Sequence, residues 1–307
     1  MDGMVAFKSR FLAAVVGAAT FAGLVDAMPH RMPTLSKRQS TGALTDTDIL
    51  QFALTLEHLE ATFYAQGFQK FPDADFAALG LKPEQIAALK KVGETEATHV
   101  KVLTDVIKKA GGNPVQPCTY DFGFTTAANM VGTAKILEAV GVSAYLGAAP
   151  LVNSKDVLAA AASIVTVEAR HQTFIRGAAG DAPVPQAFDA PLGPLSVFTL
   201  ASQFIKSCPA GSSLPFKAFP SLVILNAQNI KVGTPLNLAN PNSANAKFCA
   251  FTAGGVGTVF NPLQNGGCVV PAGLAGEVYV QLTNKGDGNK LDEASVVAGP
   301  AVIAIAP

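Results

Sequence analysis

The sequence contains no tryptophan and no Asn-x-Ser/Thr sequon, and it carries no net charge, with 22 basic against 22 acidic residues in 307. The charge balance excludes an electrostatic nucleic-acid binder, which needs a basic patch or stripe. The missing sequon excludes N-glycosylation. Charged residues are scarce at 14%, while 49% are hydrophobic. Such a chain is too apolar to stay disordered, and it is long enough for one large domain or two modest ones. Four cysteines are too few for a disulfide scaffold but enough for two cross-links.

A run long enough to span a membrane is also lacking. The N-terminal uncharged stretch from Phe11 to Val25 has 15 residues, short of the roughly 20 that a span needs. It follows Lys8 and Arg10 and ends at Val25-Asp26-Ala27, a small-residue cleavage site, so residues 1–27 read as a secretory signal peptide. Lys37-Arg38 is a dibasic processing site that makes residues 28–38 a candidate pro-segment and Gln39 the start of the mature chain. At the other end, Val296 to Pro307 is interrupted by Gly299-Pro300 and reads as a strand, not a lipid-anchor tail. These features place the protein outside the cell or in the cell wall.

Two unlike halves follow. From Thr45 to about Gly180 the apolar residues recur with helical period: Ile49, Phe52, Leu56, Leu59 and Phe63 line one broad face after the capping candidates Thr45 to Asp48. Pro83 suits the first position of a second helix, which runs to Lys109 and stops at Gly111-Gly112-Asn113-Pro114. A third helix is expected from Thr125 to Ala149, and a fourth from Asn153 or Ser154 to Ala178. The spacing predicts a four-helix bundle over residues 39–182, with one extended crossover between its second and third helices. Residues 183–212 form a Pro-rich linker with a short apolar helix from Leu195 to Ile205. Residues 213–307 are strand-like, with Leu222–Leu225, Lys247–Thr252, Val256–Phe260, Gly276–Leu282 and Ser295–Ile305 separated by Asn, Gly and Pro, as in a small β-sandwich. In a secreted chain the four cysteines make two disulfides; of the three connectivities, Cys118–Cys208 with Cys249–Cys268 is preferred.

The chemistry lies in the helical half. Glu accounts for nine of 307 residues, about 3%, yet two of the three His beyond the candidate pro-segment follow a Glu by three positions. These are Glu96-Ala-Thr-His99 and Glu168-Ala-Arg-His171, on the second and fourth predicted helices. Positions i and i+3 share a helical face, so each motif projects a carboxylate and an imidazole together. The first helix supplies Glu57 and Glu60, and the third supplies Glu138, the only carboxylate between Asp121 and Asp156. Tyr64 and Tyr145 follow Glu57 and Glu138 by seven residues, two turns further along the same faces. By contrast, His58 points away from Glu57 and reads as a packing or surface residue, and Glu94 lies on the solvent side of its helix.

Four carboxylates crowded into a bundle core would repel one another and resist desolvation. Two divalent cations neutralise them, and two neutral imidazoles complete the ligand set. Oxygen and nitrogen donors without thiolate suit Fe or Mn. The candidate ligands are Glu57, Glu96, His99, Glu138, Glu168 and His171, with Glu60, Tyr64 and Tyr145 as groups that hydrogen-bond those ligands or supply an additional one.

On these motifs the chain resembles the ferritin-like superfamily of di-metal carboxylate proteins. The text Phe52-Ala-Leu-Thr-Leu-Glu57-His-Leu-Glu60-Ala-Thr-Phe-Tyr64, with Phe204-Ile-Lys-Ser-Cys208-Pro209, is similar to fungal stress-response and sexual-development proteins and plant desiccation-related proteins. The resemblance covers about Leu44 to Pro209. It implies a tyrosine two turns after the first-helix ligand, which favours Glu57 over Glu60. It also implies a secreted protein; the reaction follows from the metal pair itself, since two adjacent ions suit two-electron exchange with dioxygen or peroxide, either by peroxide disproportionation or by oxidation of a substrate. The alternative is a non-enzymatic stress or developmental surface protein whose metal site is structural or vestigial. Cell-wall or homo-oligomer contacts are compatible with both readings, and the β half would obstruct a closed iron-storage cage.

Overall fold

Local chemistry sets the limits of each long helix. In the computed structural model, which describes residues 44–227, 229–239 and 245–306, helix α1 spans Asp46–Lys70. The segments read as signal peptide and pro-segment lie outside the described residues. Thr45 Oγ1 accepts from the Asp48 backbone N–H at 3.2 Å while Asp48 Oδ2 accepts from the Thr45 N–H at 2.8 Å, a reciprocal cap that satisfies two donors left over at the helix start. Helix α1 runs past Gly67 to Lys70, and a single-turn helix α2, Asp73–Ala77, drives Phe76 into the core.

Helix α3, Pro83–Lys109, starts on its proline, and Gly111 follows in the left-handed conformation, φ 78°. Helix α4, Ala127–Ala148, is capped by Thr126, and helix α5, Lys155–Ala178, by Ser154. Asp46 at the head of α1 accepts from the Asn153 and Ser154 backbone N–H groups, both at 2.8 Å, and so ties the starts of α1 and α5 together. Helices α1 and α3 pack as one pair and α4 and α5 as the other.

The crossover from α3 to α4 is pinned at three levels. Strand β1, Thr119–Tyr120, pairs antiparallel with β2, Ile205–Ser207. The Cys118–Cys208 disulfide lies beside that pairing. Phe122 packs edge-on against Phe63 of α1 at 5.2 Å between ring centroids and meets Phe204 at 5.7 Å. The short apolar helix, α6, occupies Pro194–Ser202 and ends before Ile205, because that residue joins β2 instead.

The C-terminal half is antiparallel throughout. Strands β3 (Val223–Ile224), β4 (Pro235–Ala239) and β7 (Gly267–Val269) form one sheet in the order β3-β4-β7. Strands β5 (Phe248–Ala253), β6 (Gly257–Pro262), β8 (Gly276–Thr283) and β9 (Val296–Ile305) form a second, in the order β6-β5-β8-β9. Leu236 from the first sheet and Phe251, Val278, Val280 and Ile303 from the second share one apolar core. Cys249–Cys268 bridges β5 to β7, hence sheet to sheet.

This half buttresses the bundle at α4. The Tyr279 hydroxyl of β8 donates to the Ala139 carbonyl at 3.0 Å and lies 2.8 Å from Ser143 Oγ. Gly147 lets the chain at Leu192 pass so close that a Cβ there would sit 1.8 Å from the Leu192 carbonyl oxygen. Arg176 of α5 pairs with Glu277 of β8, both buried, and Gln172 donates to the same Glu277 oxygen at 3.2 Å. Consequently α4 is covered on both sides, which accounts for a helix apolar nearly all round.

Candidate metal centre

Each of the four long helices contributes carboxylate, imidazole or both to one buried point between them. Glu96, Glu138 and Glu168 are 0% exposed and Glu57 1%, with His99 and His171 at 7%. Two sets of ligand atoms form: Glu57, Glu96, His99 and Glu168 in one, and Glu96, Glu138, Glu168 and His171 in the other, the atoms of each lying within 4.8 Å of one another. Glu96 and Glu168 belong to both. The structure therefore brings together all six residues singled out as ligands from the sequence, with the two Glu-x-x-His motifs facing each other.

The imidazoles enter through Nδ1. His99 Nδ1 lies 3.0 Å from Glu96 and Glu168 oxygens and 3.3 Å from Glu57 Oε2. His171 Nδ1 lies 2.8 Å from Glu96 Oε1 and 3.3 Å from Glu138 Oε2. One nitrogen can offer one proton or one lone pair in that direction, so the surrounding oxygens outnumber the hydrogen bonds available. Glu57 Oε2, Glu96 Oε1, Glu138 Oε2, both Glu168 oxygens and His171 Nδ1 are buried without a hydrogen-bond partner. Buried polar atoms normally find partners, and six orphans converging on one point fit cations that accept several donors at once.

The tyrosines cross over. Tyr64 of α1 donates to Glu138 Oε1 on α4, and Tyr145 of α4 donates to Glu57 Oε1 on α1 at 2.5 Å. Each leaves the other oxygen, Oε2, free and turned toward the imidazoles. The centre is thus pseudo-symmetric, each outer glutamate being oriented by a phenol from the opposite helix.

Electrostatics record the strain of the cluster. Burial pushes the Glu57 carboxyl up to about 7 despite the imidazole of His99 beside it, and burial with the charge of Glu57 raises Glu168 well above the usual range. Burial would raise Glu96 too, but the two imidazoles beside it outweigh that and hold the carboxyl at about 2. Burial would lower His99, yet the Glu168, Glu57 and Glu96 carboxylates around it raise it to about 12; Glu138 and Glu96 raise His171 to about 9 in the same way. Without metal, protons on the imidazoles supply the positive charge that the carboxylates require.

The remaining candidates fall outside the two ligand sets. Glu60 is buried beside them: a Cβ at Gly141 would lie 3.1 Å from Glu60 Oε1 and 3.2 Å from Glu168 Oε2. His58 is half-buried with Nε2 3.2 Å from the Val115 carbonyl, and Glu94 is exposed and paired with Lys91. Sequence reasoning missed the crossed tyrosine bonds, which depend on the packing of two helices. It also missed Gly141, whose signal was a glycine in the interior of an apolar helix, where glycine is costly without a reason.

The sequence profile of the ferritin-like domain matches residues 45–181, the segment that holds all four long helices and every residue of the centre. Residues 45–181 form a ferritin-like domain. A curated relative, protein rds1 of Schizosaccharomyces pombe, is 28% identical over 182 residues, covering 59% of this chain and 44% of that protein. The chain therefore aligns with less than half of the relative's length. A crystal structure of a conserved hypothetical protein, rv2844, from Mycobacterium tuberculosis aligns with a TM-score of 0.36 at 19% identity, over 47% of this chain and 96% of that one. In the ferritin-like domain the buried acidic and imidazole groups are compatible with metal binding, and the antiparallel β region follows it in the chain.

Proposed function

We propose that this is a secreted protein whose ferritin-like domain holds two divalent ions, Fe or Mn, and uses them in redox chemistry with dioxygen or peroxide in stress or development. The observation that carries the reading is the convergence of six unpartnered donor atoms from four helices on a buried, pseudo-symmetric point. Glu57 with His99 would hold one ion and Glu138 with His171 the other, while Glu96 and Glu168 serve both. Two such ions side by side, when bound, supply two-electron exchange with dioxygen or peroxide. The chain's own part is to fix that geometry: the tyrosines orient the outer glutamates, and the burial of every ligand keeps bulk water out.

Two disulfides accord with an oxidising compartment, and among the described residues no helix is long and apolar enough to cross a membrane. The test is metal analysis of the native secreted protein, followed by azide addition, oxygen uptake and peroxide turnover. About two Fe or Mn per chain, with an optical spectrum that azide perturbs, is the expected result. A metal-loaded protein indifferent to azide and inert to both oxidants would establish the structural alternative instead.

A further inference from the structure

Between the bundle and the β half lies a cavity of about 290 Å³ that the metal reading does not use. Leu56 and Leu59 of α1, Ile136 and Val140 of α4, and Ile224 and Ala301 of the β half are among its walls. Glu60 and Gly141 also line it, and these two residues stand at the edge of the metal centre: the space a Cβ of Gly141 would fill is bounded by Glu60 Oε1 and Glu168 Oε2. Only the absence of a side chain at position 141 keeps that boundary thin.

The walls specify what would fit. The volume is roughly twice the ~150 Å³ that holds one benzene, so the occupant has on the order of a dozen heavy atoms. Among the described residues of the lining, Glu60 is the one that carries an ionisable side chain. Neither tyrosine bonds it, and burial followed by the neighbouring Glu168, Glu138, Glu57 and Glu96 raises its carboxyl well above the usual range. The described lining holds no Lys, Arg or His, so an anionic headgroup would lose its hydration there without a cationic side chain to pair with. Ligand pockets of this kind are mainly apolar with a few polar groups that fix orientation. Val223, half exposed at 50%, marks the side open to solvent.

We propose that this cavity binds one neutral, largely apolar organic molecule of about a dozen heavy atoms, its hydrogen-bonding end directed to Glu60. That the bound molecule then lies beside a metal pair rests on the function proposed above; the binding itself does not.

The experiment titrates the full chain, metal-free and as isolated, with 1-naphthol, naphthalene and 1-naphthoate by calorimetry or ligand fluorescence. The naphthol should bind at one saturable site, naphthalene about fivefold more weakly for want of the hydrogen bond, and naphthoate at least about tenfold more weakly. Glu60→Leu should erase the preference of naphthol over naphthalene. Ala301→Phe, which fills the cavity from the β side, and Val223→Trp, which narrows the mouth, should each weaken naphthol at least about tenfold. Failure of the metal reading stays distinguishable, because Glu96→Ala should lose metal yet keep naphthol binding. Absence of saturable binding, tighter binding of naphthoate, an unchanged preference in Glu60→Leu, or full affinity in both filled variants would each overturn the proposal.

Discussion

Loading the centre with metal should release protons, in a number that the side chains dictate. At pH 7 the metal-free His99, with its pKa raised to about 12, and His171, raised to about 9, both carry a proton. Glu57, at about 7, carries about half of one, whereas Glu96, at about 2, is ionised. Metal ligation needs neutral imidazoles and ionised carboxylates, so at least two protons must leave when the pair is filled. The sign follows: the metal-free state binds more protons, so rising pH favours loading, by one decade per pH unit for each proton released. With at least two protons, the overall loading constant should grow at least ~10⁴-fold from pH 6 to pH 8. Calorimetric titration with Mn²⁺ in buffers of different ionisation enthalpy counts the protons directly. A heat independent of the buffer, with affinity flat over those two pH units, would refute the assignment of the imidazoles as ligands.

Three further outcomes follow from the same geometry. Glu96→Ala should abolish binding of both ions, since Glu96 belongs to both ligand sets, whereas loss of only one ion per chain would show that it is not shared. Gly141→Ala, which in an ordinary helix interior would stabilise by about 1 kcal/mol, should here destabilise and weaken metal binding by crowding Glu60 and Glu168; denaturant titration and metal affinity decide, and a gain in stability with unchanged affinity sinks the argument. Arg176→Ala should cost about 3–5 kcal/mol by leaving Glu277 buried and unpaired, and Arg176→Met with Glu277→Leu should recover most of it; a loss below about 1 kcal/mol in the single variant would mean the pair does not hold α5 to β8.

How far the sequence could be read depended on the range of the forces involved. The four long helices were legible because their caps and stops are local: Thr45 with Asp48, Pro83, Thr126, Ser154 and Gly111 act within a few residues. The ligand motifs were legible for the same reason, since i and i+3 on a helix share a face whatever surrounds it. Strand β4 was not, because Pro235-Leu-Asn-Leu-Ala buries only Leu236 fully and takes its pairing from β3 and β7, which lie in distant text. Strands β1 and β2 are two and three residues long, and helix α2 is a single turn; each is fixed by tertiary contact more than by propensity. The crossed bonds of Tyr64 and Tyr145 depend on how α1 and α4 approach, and no spacing within either helix encodes that.

The composition of α4 joins these levels. A helix at the surface of a bundle ordinarily keeps one polar face, yet from Ala134 to Ala144 this one buries almost every side chain around Glu138. The bundle covers one face, and α6, β8 and the chain at Leu192 cover the other, with the Tyr279 hydroxyl satisfying the Ala139 carbonyl and meeting Ser143. A buried carboxylate cluster opposes folding by several kcal/mol per uncompensated charge, so the helix that carries Glu138 and Gly141 must be held by interactions elsewhere. The β half provides them through apolar contact and through the Arg176–Glu277 pair on the neighbouring helix. On this argument the β half is a brace for α4 as well as a wall of the cavity beside it. It carries only four carboxylates, Glu277, Asp287, Asp292 and Glu293, and the buried Glu277 is matched by Arg176, because a second set of uncompensated buried charges would undo the stability that the first set consumes.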